Sequence, residues 1–258
     1  MQLDIVSALF LGLVQGFTEW LPISSSGHLV LVQTFLGLEV PAEFDIVIML
    51  GTTLALVIYF RKKIARLAEG LARGEKESLE YTLFIAIAGI FTAIVGVAGK
   101  RFFKGLFGEP VIVSLLIVAT GVFLLIASRK GKFGGRLGYK KAGIVGLAQG
   151  LAVAPGISRS GSTIGAAMLL GIKPKEAAEF SFLIGAPAMA IASVVEFLGA
   201  EQAGIELPIL AAGTATAFIA GYAGIAFFMR ILEQGKLAWF GYYCVLVGAL
   251  SALVLSTS

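Results

Sequence analysis

The sequence predicts an all-α polytopic membrane protein: six transmembrane helices plus two re-entrant helical hairpins, arranged as an inverted-topology repeat. Three observations predict it. Of the 258 residues, 58% are hydrophobic and 14% charged, against roughly 25% charged in an ordinary soluble protein, and the mean hydropathy is +0.94. Six apolar segments approach the ~20 residues that a bilayer requires. Two further apolar stretches are broken by Pro, Gly and serine clusters and are related to each other in sequence.

The six spans cover residues 44–60, 81–99, 110–128, 178–198, 207–229 and 237–256. Residues 3–38 and 141–171 instead read as helix, break, helix. Irregular backbone is tolerated at membrane depth only where protein or a water-filled cavity surrounds it, so both read as re-entrant hairpins. A displacement of 134 residues lays Gly12-Leu13-Val14-Gln15-Gly16 on Gly146-Leu147-Ala148-Gln149-Gly150, and Ile23-Ser24-Ser25-Ser26-Gly27 on Ile157-Ser158-Arg159-Ser160-Gly161. A displacement of 136 lays Glu43-Phe44 on Glu179-Phe180. Residues 1–130 and 131–258 therefore form two repeats within one membrane domain, each a hairpin followed by three spans. An odd number of crossings separates the hairpins, which then enter from opposite faces, as in inverted-repeat transporters. The N-terminal stretch, with Asp4 and no basic leader, does not read as a cleaved signal peptide.

Basic residues set the orientation. Arg61, Lys62, Lys63, Arg66, Arg73 and Lys76 follow the first span, and Arg129, Lys130, Lys132, Arg136, Lys140 and Lys141 follow the third. Lys173, Lys175, Arg230 and Lys236 fall on the same side, whereas the other side receives Lys100, Arg101 and Lys104. The positive-inside rule then puts both termini outside the cytoplasm of a multi-pass cell-membrane protein. Glu196 reads as an interfacial charge, and Asp45 and Glu179 as cap or interfacial charges near span ends.

A single cysteine, Cys244, excludes an internal disulfide, and a single histidine, His28, excludes a multi-histidine metal cage. Ionisable groups inside apolar segments cost a few kcal/mol each and default to a functional reading. The first hairpin holds Gln15, Glu19 and His28 around Ser24-Ser25-Ser26, and Gln15 and Glu19 share one helix face at i,i+4. The second holds Pro155-Gly156-Ile157-Ser158-Arg159-Ser160-Gly161-Ser162-Thr163 ahead of a helix expected to start near Thr163. A Gly/Ser loop opening a helix offers backbone N–H groups to an anion. Arg159 adds a planar fork for two phosphate oxygens. One hairpin is thus acidic and nucleophile-rich, the other cationic and hydroxylated, a division suited to phosphoryl transfer. Arg159 pairing with Glu179 is the bland competitor for its role.

At these residues the sequence resembles the undecaprenyl pyrophosphate phosphatase family, the bacitracin-resistance proteins of BacA/UppP type. The stretches that carry the resemblance are Gln15-Gly16-Phe17-Thr18-Glu19-Trp20-Leu21-Pro22-Ile23-Ser24-Ser25-Ser26-Gly27-His28, Pro155 to Thr163, and Glu179-Phe180-Ser181-Phe182. The resemblance implies hydrolysis of the terminal phosphate of a polyprenyl diphosphate, with an active site open to the extracytoplasmic side. It also implies a divalent cation, Mg2+ or Ca2+. The family's acidic motif is Glu or Gln, three residues, then Glu; Gln15 and Glu19 occupy it here and are the candidate metal ligands. Arg159 is the expected phosphate clamp. Ser24, Ser26, Ser158, Ser160 and Thr163 are the further expected phosphate-binding residues. Glu19, Ser25, His28 and Arg159 are the expected catalytic residues, with His28 and Ser25 as alternative nucleophiles. The segments around His28 and Arg159 are expected to face one another across one pocket. The expected partners are the lipid substrate and the membrane, with a homodimer open and no nucleic acid. A polyprenyl-phosphate flippase or secondary transporter using the same site is the rival function. A phosphatidic-acid-type phosphatase would need a second histidine, and no GxxxxGK[ST] loop supports ATP-driven chemistry.

Overall fold

A computed structural model of the chain describes residues 3–130, 133–200 and 204–257. Lys132 and the side chains of Lys130 and Glu196 lie outside the described residues. Six helices are long and apolar enough to cross a membrane, and they coincide with the six expected spans. In chain order these are α3 (Ala42–Tyr59), α5 (Lys76–Leu106), α6 (Pro110–Lys130), α9 (Pro174–Ala200), α10 (Leu207–Glu233) and α11 (Ala238–Thr257). Their outward faces are apolar: Val97 is 76% exposed and Ile219 70%. A bilayer removes the cost that such a surface would carry in water.

Each of the two broken stretches forms a pair of shorter helices. α1 (Ile5–Glu19) and α2 (Ser25–Leu36) make the first, α7 (Tyr139–Leu151) and α8 (Arg159–Leu169) the second. Asp4 caps α1 in a box with Ser7. Ser24 caps α2 by accepting from Gly27 N, and Ser158 caps α8 by accepting from Gly161 N. α8 therefore begins at Arg159, four residues before the expected start near Thr163, because Ser158 supplies the cap. Gly37 ends α2 at φ 59° and Gly171 follows α8 at φ 88°, backbone geometry that a Cβ would strain.

One helix, α4 (Arg61–Ala72), lies in what reads as a loop from the sequence. Its Lys, Arg, Ala, Leu and Glu residues are strong helix formers, and only Lys63, Ile64, Leu67 and Gly70 are partly or fully covered. Lys63 reaches α9 and pairs with Glu179.

Small residues let the two halves interlock. Gly12 and Gly16 of α1 lie directly on α10, where a Cβ would strike Gly213 O, Ala217 O and the Ala220 side chain. Gly146 and Gly150 of α7 lie in the same way on α5, against the Ala88 backbone and Val95. Such Gly-x-x-x-Gly faces permit backbone approach where no hydrophobic effect drives helices together. α1 of the first half thus packs on a helix of the second, and α7 of the second on a helix of the first. α3 against α9 and α6 against α11 fill the centre. An aromatic series of Trp20, Phe182, Phe228 and Phe240 packs edge-on or tilted beneath the first break, with Trp20 and Phe182 centroids 5.1 Å apart.

Gly16→Leu is expected to force α1 off α10 and lower the melting temperature in detergent by an amount equivalent to about 1–3 kcal/mol or more. Gly89→Leu in α5, where a Cβ meets nothing within 4 Å, serves as the control and leaves the melting temperature near wild type. Equal effects of the two substitutions would remove close helix approach as the reason for Gly16.

Candidate functional site

The breaks between α1 and α2 and between α7 and α8 touch. Trp20, Leu21, Pro22, Ile23 and Ser24 are all buried, so the irregular backbone is enclosed by protein as its polarity requires. Leu21 O, left without a helical donor, accepts from Ser160 Oγ at 2.9 Å, and Gly27 abuts Gly156 Cα. From α6, Thr120 Oγ1 donates to Gly156 O at 3.0 Å and accepts from Ser158 N at 3.1 Å, pinning the second break.

Across this junction Glu19 and Arg159 form an ion pair. Arg159 Nη2 lies 2.6 Å from Glu19 Oε1, with the side chains 14% and 4% exposed. Glu19 Oε2 accepts from Ser25 Oγ at 2.6 Å and from Gln15 Nε2 at 2.8 Å. One carboxylate thus holds the cation of the second hairpin and the hydroxyl of the first. The guanidinium also lies over the Trp20 ring, 4.8 Å from its centroid. Its other terminal nitrogen, Nη1, is buried and has no hydrogen-bond partner. A Cβ on Gly185 of α9 would overlap the guanidinium, so glycine there makes room for Arg159. Arg159 therefore pairs with Glu19, while Glu179 pairs with Lys63.

These groups line a cavity of ≈ 340 Å³. Among the expected site residues, Gln15, Glu19, Ser24, Ser25, Ser26, Ser158 and Arg159 line it. Three others are placed elsewhere. Ser160 is buried and donates to Leu21 O; Thr163 is buried and bonded to Arg159 O and Ser181 Oγ. Both sit inside the first turns of α8, where the helix points them into protein. His28 is the third. Its Nδ1 lies 2.8 Å from Ser24 O and its Nε2 2.9 Å from Tyr243 OH of α11, outside the cavity lining.

The cavity also contains residues that the sequence reading missed. Asp45 of α3 lines it and accepts from Gln33 Nε2 through both carboxylate oxygens at 2.9 Å. A carboxylate inside an apolar span is a legible signal, masked here by its place near the span's end. Gln149, the repeat partner of Gln15, lines it too, donating to Thr92 Oγ1 with its own Oε1 unpartnered. Gly185 and Met189 carry no signal in a single sequence, since small and flexible residues are ordinary in membrane helices. A carboxylate, a hydroxyl bonded to it and a guanidinium lining one pocket form an arrangement fit for transferring or binding an anionic group.

A family model described as "Bacitracin resistance protein BacA" matches residues 8–250. The chain is 40% identical over 258 residues to the undecaprenyl-diphosphatase of Syntrophotalea carbinolica, covering 96% of this chain and 98% of that protein. It is 41% identical over 252 residues to that of Carboxydothermus hydrogenoformans, covering 93% and 94%. It is 38% identical over 257 residues to that of Korarchaeum cryptofilum, covering 95% and 97%.

Breaking the ion pair from one side should be costly. Glu19→Gln leaves the Arg159 cation with a neutral neighbour and is expected to destabilise the fold by roughly 3–5 kcal/mol, read as a loss of melting temperature. Adding Arg159→Met should restore most of it. A double variant no more stable than the single one would refute the pairing as the source of the loss.

Proposed function

The chain belongs to the family of bacitracin resistance proteins of the BacA type, and from that premise we propose that its cavity hydrolyses undecaprenyl diphosphate to the monophosphate and inorganic phosphate. The relatives named undecaprenyl-diphosphatase align over nearly their full length, which supports carrying the activity to this chain as a hydrolase of the lipid carrier's phosphoanhydride. The observation that carries the chemistry is the shared carboxylate: Glu19 holds both Ser25 Oγ and Arg159.

Ser25 is the nucleophile favoured by this geometry. Its Oγ attacks the terminal phosphorus as its proton passes to Glu19 Oε2, and the phosphoanhydride bond breaks with undecaprenyl monophosphate as leaving group. Water then cleaves the phosphoserine, releasing phosphate and regenerating the hydroxyl. Arg159, whose side chain borders the same cavity, neutralises charge on the transferred group. Ser24, Ser26 and Ser158 border the same cavity, which supports assigning them to the diphosphate, with Ser24 and Ser158 also capping α2 and α8.

A divalent cation, Mg2+ or Ca2+, belongs to the proposal. Among the described residues no group of three or more His, Cys, Asp or Glu side chains gathers. Glu19, with Gln15 beside it, is then the protein's share of a cation whose remaining ligands are substrate phosphates and water. When bound it supplies Lewis-acid stabilisation of the departing monophosphate.

The hairpins, entering from opposite faces, are inferred to place the cavity on the extracytoplasmic side with both termini outside. The basic residues of 61–76 and 129–141 support this orientation.

Purified protein in detergent, where no gradient exists, is expected to release inorganic phosphate from a polyprenyl diphosphate of C15 or longer. EDTA should abolish release and Mg2+ or Ca2+ restore it. Ser25→Ala and Arg159→Ala should each lower kcat by at least about a hundredfold. Gly185→Ala should cost about as much by moving Arg159. A trapped phosphoenzyme should resist acid and yield to base. An acid-labile one would return the nucleophile to His28, and the absence of phosphate release would favour transport.

A further inference from the structure

Ser24 is the single non-glycine residue with positive φ among the described residues, at φ 70° and ψ 90°. Side chains rarely adopt this region unless their surroundings over-determine it. Its carbonyl is held twice by the same residue: His28 N donates to Ser24 O at 3.0 Å and His28 Nδ1 lies 2.8 Å from it. A carbonyl oxygen only accepts, so Nδ1 carries the proton. In the neutral ring Nε2 then accepts, and its neighbour is Tyr243 OH at 2.9 Å, with the two rings stacked 7° from parallel. The tyrosine hydroxyl therefore selects the tautomer that the carbonyl needs.

The duplicated hairpin supplies the comparison. Ser158 occupies the position of Ser24 with ordinary extended backbone, φ −70° and ψ 121°. Ser162 stands where His28 stands. The strained turn and the histidine occur together in one repeat and are both missing from the other. Ser25 is the next residue after the strain, and its hydroxyl is the one bonded to Glu19.

We propose that His28 and Tyr243 are positioning residues: Tyr243 fixes His28 as the Nδ1–H tautomer, and that N–H locks the Ser24 turn that aims Ser25 at Glu19. This deepens the phosphatase reading and rests on it. His28 takes no proton from substrate and forms no bond to phosphorus; its two nitrogens are committed to the turn and to α11.

The side-chain amides of asparagine and glutamine separate the two nitrogens. The asparagine Nδ2 reproduces the Nδ1 donor and the glutamine Nε2 reproduces the other position. Phosphate release from a C15 diphosphate in detergent is measured for wild type, His28→Asn, His28→Gln, Tyr243→Phe and the double variant His28→Asn with Tyr243→Phe. His28→Asn is expected to keep kcat within about fivefold of wild type, while His28→Gln loses about a hundredfold with KM little changed. Tyr243→Phe should lower kcat about tenfold in the wild-type background and not at all in the His28→Asn background, the signature of residues acting through one another. His28→Asn as inactive as His28→Gln would overturn the proposal. So would a Tyr243→Phe loss of equal size in both backgrounds, a comparison that stands even if His28→Gln fails to fold. A wild-type protein without phosphate release would instead defeat the phosphatase reading itself.

Discussion

Everything at the centre of this molecule is arranged around the ion pair of Glu19 and Arg159. Two charges in an apolar environment are tolerated only when they meet each other and their remaining hydrogen-bonding capacity is met as well. Glu19 spends its capacity on Gln15, Ser25 and Arg159. Arg159 spends part of its own on Glu19 and on the face of Trp20, and keeps one nitrogen unpartnered. That both side chains also border the cavity is what separates a structural pair from a site. A pair sealed away from any cavity would have nothing to offer a ligand.

The pair also explains why the helices break where they do. A continuous helix through residues 5–36 would carry Glu19 and Ser25 past one another on different turns. The buried turn at 20–24 instead reverses the chain so that Ser25 returns to Glu19. The second break does the same service for Arg159, and Ser160 ties it back to Leu21. Each break exposes backbone polar groups that the other break, or Thr120, satisfies.

Much of this was legible in the sequence, and the exceptions have physical causes. The six spans follow from length and hydropathy alone, and the two helix breaks from Pro22, Gly156 and the serine clusters. Glu19 and Arg159 announced themselves as costly charges in apolar stretches. The orientation of His28 did not, because it depends on Tyr243, 215 positions away. Asp45 entered the cavity through the packing of α3, and Gly185 matters only because a guanidinium lies on it. α4 was hidden by its charge, which reads as loop until its helix formers are weighed. Chemistry written into residue type is readable from one chain; chemistry created by tertiary proximity is not.

The exchange of helices between the halves, α1 onto α10 and α7 onto α5, bears on biogenesis. The ribosome delivers Glu19 well over a hundred residues before Arg159, and the surface that receives α1 emerges later still. Until then the leading segment is a glycine-grooved helix carrying a buried carboxylate and lacking its largest partner surface, poorly suited to reside in lipid. Insertion of this chain must therefore end with a late docking step rather than proceed as a series of independently completed helices. Fragments arrested before α10 would present an unfinished surface to the quality-control proteases of the membrane.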